Sequence, residues 1–150
     1  MISRALLVLP RLYLGVIFAV AVTSKLESLA SFPRSLAGFV QHAGSPLPFY
    51  ATFVSSVVVP HAPLFAFLVI MAENYVAIGM LFGVTTRAAS LAAIFLLCNY
   101  MLAKGMPPWS PASNDAADIV IAIVVGAGAA GRVLGFDKFL AERWPRAWVW

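Results

Sequence analysis

The sequence predicts an all-α integral membrane protein, a four-helix bundle with short interfacial helices in its first external connection, and three observations carry that expectation. Of its 150 residues, 62% are hydrophobic and only 11% charged, against ~25% charged in ordinary soluble domains. Four apolar runs reach or approach the ~20 helical residues that cross a hydrocarbon core. Charged residues and prolines collect mainly at the edges of these runs. Six acidic and ten basic residues cannot cover the surface of a soluble domain of this length, so lipid is the expected solvent for the outer faces. A single transmembrane domain over 1–150 is expected, with spans near 5–25, 62–83, 87–104 and 117–136.

Span one follows a basic start, and MISRALLVLPRLYLGVIFAVAV superficially resembles a signal peptide. Arg11 interrupts its apolar stretch and no convincing cleavage site follows, so a retained span is expected, with a cleaved leader as the alternative. Pro10 falls in the first turns, where it costs less than in a helix centre. The connection 26–61 carries SFPRSLAGFVQHAG and PLPFYATFVSSVVVP, the second too short between its prolines to cross. Both read as helices at the membrane surface or in the bundle mouth. Leu29, Phe32, Leu36 and Phe39 share one face of the first, and Phe49, Phe53 and Val57 share one of the second. Span three is short, and Lys104 can snorkel from its end. GMPPWSPASND then breaks helix, and Trp109, Trp144, Trp148 and Trp150 suit an interface. Small residues four apart, among them Gly79 with Gly83, Ala89 with Ala93, and Ala127 with Gly131 and Gly135, predict close helix packing.

Four spans put both termini on one side. Arg4, Arg87, Arg132, Lys138, Arg143 and Arg146 gather there, with Arg11 slightly inside the bilayer; Lys25, Arg34 and Lys104 lie opposite, diluted by Glu27, Asp115 and Asp118. The excess of cations predicts cytoplasmic termini, in the cytoplasmic (inner) membrane of a bacterium or archaeon. The net charge of +4 is thereby a matter of topology; no cluster of basic and polar residues points to nucleic acid. A single cysteine, Cys98, excludes an intramolecular disulfide and a CxxC redox pair. His42 and His61 have no neighbours at metal-ligand spacing, so no metal is expected, and no haem, phosphate-loop or nucleophile-elbow motif occurs. No intrinsic cofactor is expected.

The charged residues inside the spans are the candidate site. Glu73 interrupts span two, and a carboxylate in hydrocarbon needs a partner, a proton or water. Arg11, Gly15, Phe18, Val22 and Lys25 share one face of span one. With a rise of ~1.5 Å per residue the Cα atoms of Arg11 and Glu73 differ by roughly 6 Å in depth, which makes Arg11 the first expected partner of Glu73. Asn99 reaches a similar depth, with Tyr100 and Tyr13 nearby if they turn inward, and Lys25 with Asp118 forms a second expected pair. Asn114 or Asp115 is expected to cap span four. On one reading the pairs Arg11 with Glu73 and Lys25 with Asp118 are structural, since pairing already answers the desolvation argument. On the other, Glu73, Asn99 and a tyrosine line a quinone head-group pocket or a proton path.

Glu73, Gly79, Gly83 and Arg87 form E-x5-G-x3-G-x3-R, preceded by RLYLGVIFAVAVTSKL with Arg11, Gly15, Phe18 and Lys25. These runs resemble the DoxX family of small four-helix membrane proteins. The acidic Asp118 and the closing GAGAAGRVLGFDKFLAER with Asp137 extend the resemblance, although Asp118 stands where the family often has glutamate and the glycine-alanine stretch is longer. The resemblance implies four transmembrane helices and association with membrane redox systems, relatives including the DoxD-type subunit of thiosulfate:quinone oxidoreductase. It makes an accessory subunit the leading expectation: a bundle that anchors or couples a partner oxidoreductase, contacts lipid and other subunits of a membrane complex, and lends a quinone-facing pocket. The alternative is a subunit that reduces quinone directly, with Glu73 handling the proton and Arg11 or Arg87 orienting the head group. A small transporter ranks below both, because four spans without an evident internal repeat offer little machinery for alternating access.

Overall fold

The computed structural model describes residues 4–42 and 47–150. Residues 43–46 of the first connection lie outside the described residues, as do the side chains of Arg4, Val40, Gln41 and His42. Among the described residues the regular structure is entirely helical. Three helices are long and apolar enough to cross a membrane: α1 (Ala5–Glu27), α4 (Ala62–Phe82) and α5 (Thr86–Lys104). Their bounds agree with the sequence expectation to within a few residues.

The expected fourth span, 117–136, is continuous helix over a shorter range. Helix α6 (Asp115–Ala127) has 13 residues and covers ~20 Å at 1.5 Å per residue, short of a full hydrocarbon core. Gly128 ends it, Ala129 turns left-handed at φ 49°, and a 3-10 turn (Ala130–Arg132) follows before α7 (Asp137–Arg143). Asn114 makes no side-chain cap, and Asp115 pairs with Lys104 instead. Helix α6 nonetheless completes the packing: α1 lies against α4, α4 against α5, α5 against α6, and α6 returns to α1.

Local chemistry explains the ends of the long helices. Pro63 sits in the first turn of α4, where its missing N–H has no helical partner to lose. Gly83 ends the same helix at φ +64°, and Gly105 ends α5 at φ +63°, both in the left-handed region that glycine adopts without a Cβ penalty. Small residues bring the helices together as expected. A Cβ on Gly15 would fall 2.8 Å from the Leu81 side chain, and one on Gly79 would fall 2.6 Å from Ala89 Cβ. Leu14, Phe18, Val76, Met80, Ala89 and Ala93 fill the resulting core.

The first connection folds as two short helices, α2 (Phe32–His42) and α3 (Pro48–Val58), the second passing from α- to π-helix at Val54. Phe32, Leu36 and Phe39 of α2 share a face as predicted, whereas Leu29 precedes the helix and is exposed. In α3 the expected face is displaced. Phe49 is exposed, and the inward residues are Tyr50, Phe53, Val54 and Val58. Tyr50 precedes the π-turn, and its bond to Asn99 O accompanies the shift of the inward stripe by one position.

Candidate functional site

Both cations on the inner face of α1 find partners, and neither is the one expected. Lys25 Nζ lies 2.8 Å from each oxygen of the Glu73 carboxylate. Tyr100 donates its hydroxyl to Glu73 Oε1 at 2.6 Å, so α1, α4 and α5 meet at one carboxylate that is 1% exposed. Arg11 instead reaches the far end of the bundle and donates to the carbonyls of Ala130 (2.9 Å), Val133 (3.0 Å) and Leu134 (2.9 Å).

The expected Arg11–Glu73 pair fails for a geometric reason. Side chains on a helix lean toward its N-terminus, and α1 and α4 run in opposite directions: Lys25 meets Glu73 while Gly15 meets Leu81. Lys25 and Glu73 therefore lean toward each other, and Arg11 leans away from Glu73. The register adds to it: with Gly15 level with Leu81, Arg11 lies about 18 Å from Glu73 along the bundle rather than the expected ~6 Å. The Lys25–Asp118 pair is absent for the same reason, since Glu73 holds Lys25. Asp118 instead faces Tyr13, and its buried Oδ1 has no hydrogen-bond partner among the described residues.

The Arg11 end is closed. Carbonyls at the end of a helical segment carry partial negative charge and lack intrahelical donors, so a guanidinium suits them. The fully buried Asp137 adds the opposite charge nearby and accepts the backbone N–H groups of Thr85 (2.6 Å) and Thr86 (2.9 Å). These bonds hold the α4–α5 turn, where Thr85 has a left-handed φ of 48°. A Cβ on Gly83 would fall 2.7 Å from Arg11 Nη1 and 2.8 Å from Gly135 Cα. The guanidinium therefore packs directly against the backbone of both glycines.

The Lys25 end is open. A cavity of about 710 Å³ lies beside the Glu73 cluster, bounded by α2 and α3 on one side and by α4 and α5 on the other. Phenylalanines and aliphatic side chains line most of it, while Lys25, Tyr100, Asn99 and Tyr50 contribute polar atoms. Tyr50 donates to the backbone carbonyl of Asn99 at 3.2 Å, which ties the short helices to α5. Asn99 Nδ2 donates to Phe95 O at 2.7 Å. Apolar walls with a few polar groups in a volume of ~300–1,000 Å³ are the usual form of a small-molecule site.

Of the residues singled out from the sequence, Glu73, Tyr100 and Asn99 come together here, joined by Lys25. Arg11 and Arg87 do not. Arg87 begins α5 at the opposite end and donates to Trp148 O at 3.2 Å. Tyr50 was not legible as a site residue, because its role depends on how the first connection folds back; the only signal was the apolar run between prolines around it. No group of three or more His, Cys, Asp and Glu residues able to hold a metal occurs among the described residues.

Long apolar helices enclosing a buried ion pair and a cavity define a helical membrane protein with a polar centre. The family model for DoxX matches residues 6–106, and the chain belongs to the DoxX family, which associates it with membrane redox systems. The match takes in Arg11, Lys25, Glu73, Asn99 and Tyr100 and stops before α6, so Asp118 and Asp137 lie beyond it. No curated protein and no solved structure matches the chain.

Proposed function

We propose that this protein is an accessory membrane subunit of a redox system, anchoring or coupling a partner oxidoreductase, and that its cavity receives a quinone head group. In this reading α6 and the turn after it act as the fourth helix of the bundle, and both termini face the cytoplasm. The observation that carries the proposal is the 710 Å³ apolar cavity whose polar pole is the Lys25, Glu73 and Tyr100 cluster. A quinone head offers carbonyl acceptors on a flat apolar ring. Lys25 has three N–H donors and Asn99 two, and the bonds to Glu73, Ala21 O and Phe95 O leave each with one to spare. The tail of such a ligand fits among Phe32, Phe39, Phe53 and Phe65.

One observation favours direct participation in quinone reduction: Tyr100, Glu73 and Lys25 form a hydrogen-bonded chain of exchangeable protons beside the cavity. Purification in mild detergent, with mass spectrometry of copurifying proteins and lipids, tests the proposal. A stoichiometric redox partner together with bound quinone is the expected result. A protein that emerges alone and empty contradicts it. Quinone turnover by the complex that falls at least tenfold in Glu73→Gln, with assembly intact, moves the assignment from accessory to catalytic subunit.

A further inference from the structure

The two ion pairs among the described residues, Lys25–Glu73 and Lys104–Asp115, both lie away from the α4–α5 turn. At the end where that turn lies, Arg87, Arg132, Lys138, Arg143 and Arg146 have no carboxylate of the described residues within ion-pair distance. Asp137 is buried and committed to the Thr85 and Thr86 amides. The same end exposes Phe139, Trp144 and Trp148. The final residues fold back across it, with Val149 O accepting from Arg87 N and Trp150 O accepting from Arg132 Nη2.

A second cavity, of about 330 Å³, opens here between α5 and α6. Arg87 and Trp148 line it, Leu91, Ile94 and Ile123 form apolar walls, and Ser90 lies among them. Leu91 and Ile123 are each more than half exposed, so the groove opens sideways along α5, one of the helices long and apolar enough to cross a membrane. Arg87 spends one side-chain donor on Trp148 O, out of the five a guanidinium carries. Ser90 is 2% exposed, and its hydroxyl has no hydrogen-bond partner among the described residues.

We propose that this groove binds one anionic phospholipid, with its phosphate on Arg87, its ester region near Ser90 and an acyl chain along Leu91, Ile94 and Ile123. The spacing suits such a ligand. Ser90 follows Arg87 by about one helical turn, on the same face of α5 and deeper along the helix axis. Charge complementarity selects an anionic lipid over a zwitterionic one, because at this end Arg87, Arg132, Lys138, Arg143 and Arg146 outnumber the one exposed carboxylate, Glu142, and none of them forms an ion pair among the described residues. Exposed tryptophans belong at the same headgroup level. The groove is separate from the cavity beside Glu73, and the two share no lining residue.

The test is native mass spectrometry of the purified full chain in micelles supplied with equal amounts of phosphatidylglycerol and phosphatidylcholine. One retained phosphatidylglycerol per chain is expected, favoured at least fivefold over phosphatidylcholine. Arg87→Gln should reduce that preference by on the order of fivefold, the value of one cation near a membrane surface. Ile123→Trp keeps every charge and fills the groove, and should abolish retention of both lipids. Position 123 already faces lipid, so this variant is expected to fold. Equal retention of the two lipids, or a preference that survives both substitutions, overturns the proposal.

Discussion

Arg11 and Lys25 stand on one face of one helix and pose the same problem, a cation carried into a hydrophobic bundle. Backbone answers it at the Arg11 end: three carbonyls accept from the guanidinium, Asp137 supplies the opposite charge, and Gly83 and Gly135 close the space. Side chains answer it at the Lys25 end, where Glu73 and Tyr100 meet the ammonium beside a 710 Å³ cavity. Carbonyl groups fixed by the chain have no proton to exchange and no freedom to move. A carboxylate, a phenol and an ammonium beside open volume can exchange protons and rearrange around a ligand. The difference separates a structural use of buried charge from a chemical one.

The sharpest way to break this comparison is at the closed end. Asp137→Ala leaves two buried amide N–H groups without their acceptor and removes the opposite charge near Arg11, and should lower stability by about 3–5 kcal/mol. A thermal unfolding series in detergent measures the loss, and an unchanged midpoint would contradict the assignment of Asp137 as a lock. Gly83→Ala comes next. A Cβ at φ +64° is strained and would meet Arg11 Nη1 at 2.7 Å, so a cost of roughly 2 kcal/mol is expected.

Glu73→Gln should be milder, at about 1–2 kcal/mol. The substituted amide would still accept from Tyr100, and Lys25, whose side chain is 20% exposed, can turn its ammonium outward. The same variant should lose most of its affinity for a short-chain quinone, measured by isothermal titration in micelles, whereas a Gly83→Ala protein that folds should keep it. The smallest effect, of opposite sign, belongs to Gly38. It lies inside α2 with nothing within 4 Å of an added Cβ. Gly38→Ala should therefore stabilise by up to ~1 kcal/mol through helix propensity, read as a small rise in the unfolding midpoint.

Hydropathy and proline placement made the long helices and the two short helices of the first connection legible from the sequence, because length and period are local properties. The full extent of α6 was not. Its apolar run continues to Ala130, yet close approach at Gly128 and Gly131 and the left-handed Ala129 end the helix early, and these depend on what packs against them. The members of the site were largely visible as polar residues inside apolar spans: Glu73, Lys25, Asn99 and Tyr100 were all singled out. Their pairing was misassigned, because depth counted from span edges missed the register of α1 against α4, in which Gly15 sits level with Leu81, and the lean of each side chain toward its own helix start. Tyr50 stayed hidden, since the face of α3 that turns inward depends on a long-range contact, its bond to Asn99, that local spacing does not anticipate.

Photolabelling tests the central claim, that the cavity beside Lys25 takes a quinone and the packed Arg11 cluster does not. The purified protein would be irradiated with an azido-quinone and the modified peptides mapped by mass spectrometry. The account predicts labels on residues lining the large cavity, such as Phe53, Asn99 or Tyr100, displaced by excess unlabelled quinone and reduced in Glu73→Gln. Labels scattered over the lipid-facing residues of α1 and α4, undiminished by competitor, would contradict it.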